Sequence, residues 1–163
     1  LIIVSIFAGV HLWNSTHSLS LKRRTEQLGL KQNFGFYQRE STDDGKEFRW
    51  TRKCGAFTIK IEKSIIEIPL LASHPDIQRR PVKVEIFLVK GFFKDEELLG
   101  EVILDQSAWK TYEYEMPEEV GKEVVLLVKV SRTCNPLKAM GTPDPRNLGV
   151  AMGKVVFRDG RVP

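Results

Sequence analysis

The sequence predicts an all-β domain, a two-sheet antiparallel β-sandwich, over residues 34–163. Three observations predict it. From Phe34 onward, apolar side chains recur at every second position. Turn residues separate those runs at fairly regular intervals: Asp43-Asp44-Gly45, His74-Pro75-Asp76, Lys90-Gly91, Pro117 to Gly121, Pro143 to Pro145 and Asp159-Gly160. No long helical period follows Leu30, which disfavours alternating β and α units.

The runs follow in order. Phe48 and Trp50 alternate with Glu47, Arg49 and Thr51; Phe57, Ile59 and Ile61 alternate with Thr58, Lys60 and Glu62. Ile66, Ile68, Leu70 and Ala72 form one face of the next run, and Val82, Val84, Ile86 and Leu88 the face after that. Leu99 to Leu104, Tyr112 with Tyr114, Val124 to Val130 and Val150 to Phe157 complete the set. Such alternation marks strands with one face on a core and one toward water. About eight strands of this kind suit a jelly roll.

The residues before Phe34 read differently. Leu1 to Trp13 is almost wholly apolar but too short for a full bilayer span, which takes about 20 residues. The expectation is that residues 1–17 are the end of a transmembrane helix begun upstream, with Trp13 at the interface. A buried core segment is the alternative. In residues 18–33, Leu21 and Leu28 share a helical face beside Lys22, Arg23 and Arg24, which reads as an amphipathic linker helix at the membrane surface or a plain helical linker. The β-domain is accordingly expected to be the C-terminal part of a longer membrane protein.

A composition of 42% hydrophobic and 28% charged residues marks a folded chain rather than a disordered one. The net charge of +4 arises from interleaved signs, so no nucleic-acid partner is expected. Cys54 and Cys134 read as two separate buried thiols, with one disulfide as the alternative.

No catalytic signature is present. The sequence lacks the G-x-S-x-G elbow and the G-x-x-x-x-G-K-[ST] phosphate loop. The histidines, His11, His17 and His74, have no zinc-ligand spacing with the cysteines. His74 and Asp76 share a loop, but no nucleophile accompanies them, and a Pro-containing turn with Asp76 bonding nearby amides is the simpler reading. The acidic runs, Asp43-Asp44 and Asp95-Glu96-Glu97, read as solvated turns rather than a carboxylate pair. No catalytic residue, metal or cofactor is expected.

Binding is the remaining class. Sugars stack on flat aromatic faces and hydrogen-bond to polar side chains. Trp50, Trp109, Tyr112, Tyr114, Arg132 and Asn135 are the candidates, although Trp50 shares a face with Phe48 and Trp109 opens a strand, so core packing is expected to claim both. The long polar stretch from Ser131 to Val150 interrupts two apolar runs. Within it Asp144 is expected to cap a turn, Arg146 to reach a carboxylate, Leu148 to plug the sandwich end and Gly149 to permit close backbone approach.

On these residues a resemblance rests. SRTCNP followed by DPRNLGV is similar to the closing strands of jelly-roll, galactose-binding-like accessory domains. These occur in bacterial membrane proteins and glycosyltransferases of cell-surface polysaccharide assembly. LSLKRRTEQLGL then FGFYQRE resembles the junction with a last transmembrane helix, and FRWT and HPDI fit as well; Cys134 stands where an aromatic residue would be expected. The resemblance implies a non-catalytic domain, held to the membrane by its N-terminal segment. Its expected ligand is a glycan or lipid-linked sugar, through Trp50, Arg132, Asn135 and Arg146. A structural module packing on its own transmembrane region or on a partner is the alternative. The resemblance puts the domain outside the cytoplasm, while the Lys22-Arg23-Arg24 cluster favours the cytoplasmic side.

Overall fold

The computed structural model describes residues 34–89 and 96–160, and the segments expected as transmembrane end and linker helix lie outside them. Among the described residues no helix is long and apolar enough to cross a membrane. The strands are β1 (Phe34–Ser41), β2 (Glu47–Lys60), β3 (Ile65–Leu71), β4 (Val82–Val89), β5 (Glu96–Leu104), β6 (Lys110–Glu115), β7 (Glu123–Val130), β8 (Ala151–Gly153) and β9 (Val156–Arg158). A 3-10 turn, Pro117–Glu119, precedes β7, and one short helix, α1 (Pro136–Met140), lies between β7 and β8.

All pairings are antiparallel. The strands form one hydrogen-bonded path, β5-β4-β7-β2-β8-β3-β6, with β1 also on β2 and β9 also on β3. The two layers expected from the sequence are therefore joined, and β2 joins them. Its second half pairs with β7 from Cys54 to Lys60, and its first half pairs with β8 from Phe48 to Trp50. The strand thus belongs to both arms. One core lies between them: Ile66, Ile68 and Leu70 of β3 pack in the same cluster as Val82 to Leu88 of β4 and Val124 to Val130 of β7. Each side chain enters that cluster through the two-residue period of its strand.

Two local devices shape the arms. Phe36 lies across Gly55, where an added Cβ would stand 2.7 Å from the ring. In β5, Leu98 pairs with Phe87 and Gly100 with Ile86, leaving Leu99 as an extra residue. This bulge flips the alternation, so Leu99 packs on the core while Leu98 is exposed.

The outer faces of the two arms differ in chemistry. On the β4-β5-β7 arm, Lys83 bridges Glu85 and Glu101, and Lys129 sits over the Phe87 ring while pairing with Glu96. On the β2-β8-β3 arm the outer face carries a second apolar cluster of Trp50, Leu148 and Ala151, with Tyr37, Phe48 and Leu71 packed against it.

Candidate functional site

The second cluster begins with strand parity. Residues 57 and 59 of β2 point into the core, as does fully buried Thr51, so residues 48 and 50 of the same strand point outward. Met152 and Leu70 lie in the core cluster; Ala151 and Leu71 lie in the outer one. The outer rings meet edge to face: Phe48 on Trp50 at 6.0 Å, and Phe48 on Trp109 at 5.9 Å. Trp109 stands just before β6, over Gly153 and beside Pro69. Any side chain at Gly153 would point toward that indole, 3.6 Å from its nearest atom.

Burial grades the rings. Trp50 is 9% exposed and forms the floor; Trp109 is 38% exposed and forms the open edge. The expectation that Trp109 plugs the core is corrected here, because the residue sits on the solvent side of the sheet. Tyr112 and Tyr114 go the other way, packing against the main core, and the Tyr114 hydroxyl is buried without a partner.

Tyr37 extends the aromatic surface between two guanidiniums, with Arg52 4.6 Å and Arg146 5.2 Å from its ring centre. Its hydroxyl donates to the Asn147 carbonyl at 3.2 Å. Arg146 is fully engaged: Nη2 donates to Asp144 at 2.7 Å and Nη1 to Glu40 at 2.6 Å. The guanidinium beside Asp144 holds that carboxyl below its ordinary range, and Asp144 in turn raises Arg146. Asp144 also accepts the Arg146 amide, as the turn reading expected.

Asn135 caps α1. Its Oδ1 accepts the Lys138 amide at 3.0 Å and its Nδ2 donates to the Pro145 carbonyl at 2.7 Å. Gly141 closes the helix in the left-handed region. Arg132 leaves the loop to meet Asp76, Nη1 to Oδ1 at 2.8 Å, and donates to the Arg80 carbonyl. Of the four residues expected to touch a ligand, then, Trp50 is the floor of the aromatic cluster. Arg132, Asn135 and Arg146 bind other parts of the protein, and Arg132 lies at a different place from the rest.

The fork where β7 and β8 share one edge of β2 explains the loop. The Gly149 amide donates to the Thr51 carbonyl at 2.7 Å, the Thr51 amide to the Val150 carbonyl, and the Val150 amide to Thr51 Oγ1 at 2.9 Å. Close approach at Gly149 is thus confirmed. A Cβ there would collide with the Arg52 carbonyl and Thr51 Oγ1. Leu148 turns onto the outer cluster against Trp50.

Arg132 leads to a second feature. An open pocket of about 590 Å³ is lined by Ser73, His74, Gln78, Arg79, Ser107 and Met140, among others. His74 is 3% exposed and neither ring nitrogen has a hydrogen bond. Burial, and then the Arg132 charge, lower its pKa to about 4, against smaller opposing influences from Asp76 and the Arg132 backbone. The Asp76 carbonyl, rather than its side chain, accepts the Arg79 and Arg80 amides in this turn.

Cys54 and Cys134 are both free thiols, and burial pushes each pKa up. Among the described residues no three His, Cys, Asp or Glu side chains converge as a metal-ligand set.

No family model and no curated protein matches this chain. Solved structures do resemble it. One is a mutant of CBM29-2, a family 29 carbohydrate-binding module, at 9% identity and a TM-score of 0.42, covering 76% of each chain. Another is the CBM22-1 xylan-binding domain of Paenibacillus barcinonensis Xyn10C, at 10% identity and 0.44, covering 76% of this chain and 81% of that one. A third is a CBM4 structure at 14% identity and 0.39, covering 74% and 75%. At these values no residue is carried across.

Proposed function

We propose that this chain is a non-catalytic, jelly-roll domain that binds a glycan on the outer face of the β2-β8-β3 arm. One observation carries the reading: Trp50, Phe48 and Trp109 form an edge-to-face row on the side of the sheet away from the core, ending in a half-open indole. A row of this kind offers flat apolar faces to a sugar ring, and the neighbouring Tyr37–Arg52 stack adds polar groups at its side. Trp109 and Phe48 are the contacts; Trp50 supports them from beneath. Asn135 and Arg146 hold the loop beside the row. The proposal extends to the setting read from the sequence, an extracytoplasmic domain of a membrane protein that handles envelope polysaccharide or its lipid-linked precursors.

A glycan array on the full chain tests the reading, repeated with Trp109→Ala. The expected result is binding to at least one oligosaccharide and a loss of about tenfold or more in the variant, on the scale of a lost ring contact. Thermal unfolding should shift little, since the ring is already partly in water. Silence across the array, or full affinity in the variant, would defeat the proposal.

The interaction-module reading has one observation in its favour. Leu98 and Ile103 are 52% and 51% exposed on β5, a strand that pairs only with β4 among the described residues. Loss of partner binding in Leu98→Glu, with glycan binding unchanged, would separate the two readings.

A further inference from the structure

We propose that the pocket beside the aromatic row receives an acidic sugar unit, so that the glycan bound is a carboxylate-bearing, uronate-type chain. The inference rests on the glycan reading and adds what that reading leaves open, the class of glycan.

The pocket and the row are neighbours along the chain. Ser107 lines the pocket and Trp109 ends the row, so their Cα atoms stand at most about 7 Å apart along the chain. His74 follows three residues after Leu71, which packs in the outer cluster. A chain stacked on Trp109 therefore lies within reach of the pocket mouth.

The charge there is unbalanced. The Asp76 carboxylate in the lining is already paired by Arg132 and Arg80, which leaves Arg79 as a further cation in the lining. Asp105, in the same loop as Ser107, is held by Lys110. Arg79 has no acidic partner among the described residues; it is exposed and is one of the residues that line the pocket. Beside it stand residues that hydrogen-bond without adding charge: Ser73, Ser107 and Gln78. One free planar fork with neutral donors suits a carboxylate, which Arg meets with two parallel hydrogen bonds. A phosphate or sulfate would call for more than one free cation. The apolar part of the lining, including Met140, which is 47% exposed, faces the carbon side of the sugar.

The test uses matched pairs. Glucuronate-, galacturonate- and mannuronate-containing oligosaccharides are each titrated against the full chain beside their carboxyl-reduced, neutral forms. At least one acidic member should bind about tenfold or more tightly than its reduced partner, as a charge-assisted pair implies. In Arg79→Met that ratio should fall to about one while the neutral form binds as before. Equal binding of acidic and reduced forms by the unaltered protein overturns the inference and leaves the aromatic reading standing. Survival of the preference in Arg79→Met overturns it too. Binding to no member of any pair overturns the inference as well, while the aromatic reading stands or falls on the array.

Discussion

His74 should make this protein acid-sensitive between about pH 6.5 and pH 4. The imidazole is buried with no hydrogen bond to either nitrogen, and its folded pKa of about 4 lies below the ordinary value of 6.5. A depressed histidine costs nothing while both folded and unfolded chains carry it neutral. The sign follows: at pH 7 and above its contribution is nil. As pH falls below 6.5 the unfolded chain takes up a proton that the folded chain refuses, and stability drops until about pH 4. With those two values the loss is about 1.4 kcal/mol at pH 5.5, about 2.6 kcal/mol at pH 4.5 and about 3 kcal/mol at pH 4. That is a large share of the 5–15 kcal/mol of a typical domain. The lowered carboxyls, Asp44, Asp76 and Asp144, begin from an ordinary value of 3.8, so they stay ionised through this window. Urea unfolding at pH 7.5, 6.5, 5.5 and 4.5 measures the slope, and His74→Leu isolates it from His11 and His17. The variant should unfold with a flatter pH profile. Parallel profiles, or an imidazole that titrates near 6.5 by NMR in the folded state, would refute the argument.

Two further substitutions probe the fork on β2. Gly149→Ala drives a methyl into the Arg52 carbonyl, so the backbone must move; a loss of about 3 kcal/mol or more is expected by urea unfolding. Thr51→Val keeps the shape but leaves the buried Val150 amide without its acceptor, for an expected loss of about 1–3 kcal/mol; melting within a degree of the parent would contradict it.

What the sequence disclosed, and what it withheld, divides along one line. Strands with one face on the core declare themselves, because burial of Ile66, Ile68 and Leu70 imposes the two-residue period directly. Gly149 was legible for a similar local reason: a glycine entering a strand points to a close neighbour. The aromatic row was not. Phe48–Trp50 and Phe57–Ile61 look like separate strands, each with its own core face. Phe48, Trp50, Phe57 and Ile59 belong to one strand of 14 residues, and the signal lay in parity, even numbers for one pair and odd for the other. Trp109 reads as a plug because an indole opening a strand is usually buried; its place over Gly153, far along the chain, is not visible in local sequence. The Arg132–Asp76 bridge joins residues that no local pattern connects.

The same parity explains why a binding face can exist here at all. The outer face of the opposite arm carries Lys83, Glu85 and Lys129 beside the exposed Leu98 and Ile103. On β2 the two-residue period turns Phe48 and Trp50 outward while Phe57 and Ile59 face the core. The outer rings still find cover, from Leu148 and Ala151 on one side and Tyr37 on the other. Only the end of the row lacks it. The exposed indole of Trp109 is therefore the place where the protein's own packing stops, so under the proposed glycan reading substitution there should separate binding from stability in a way that substitution at Trp50 does not.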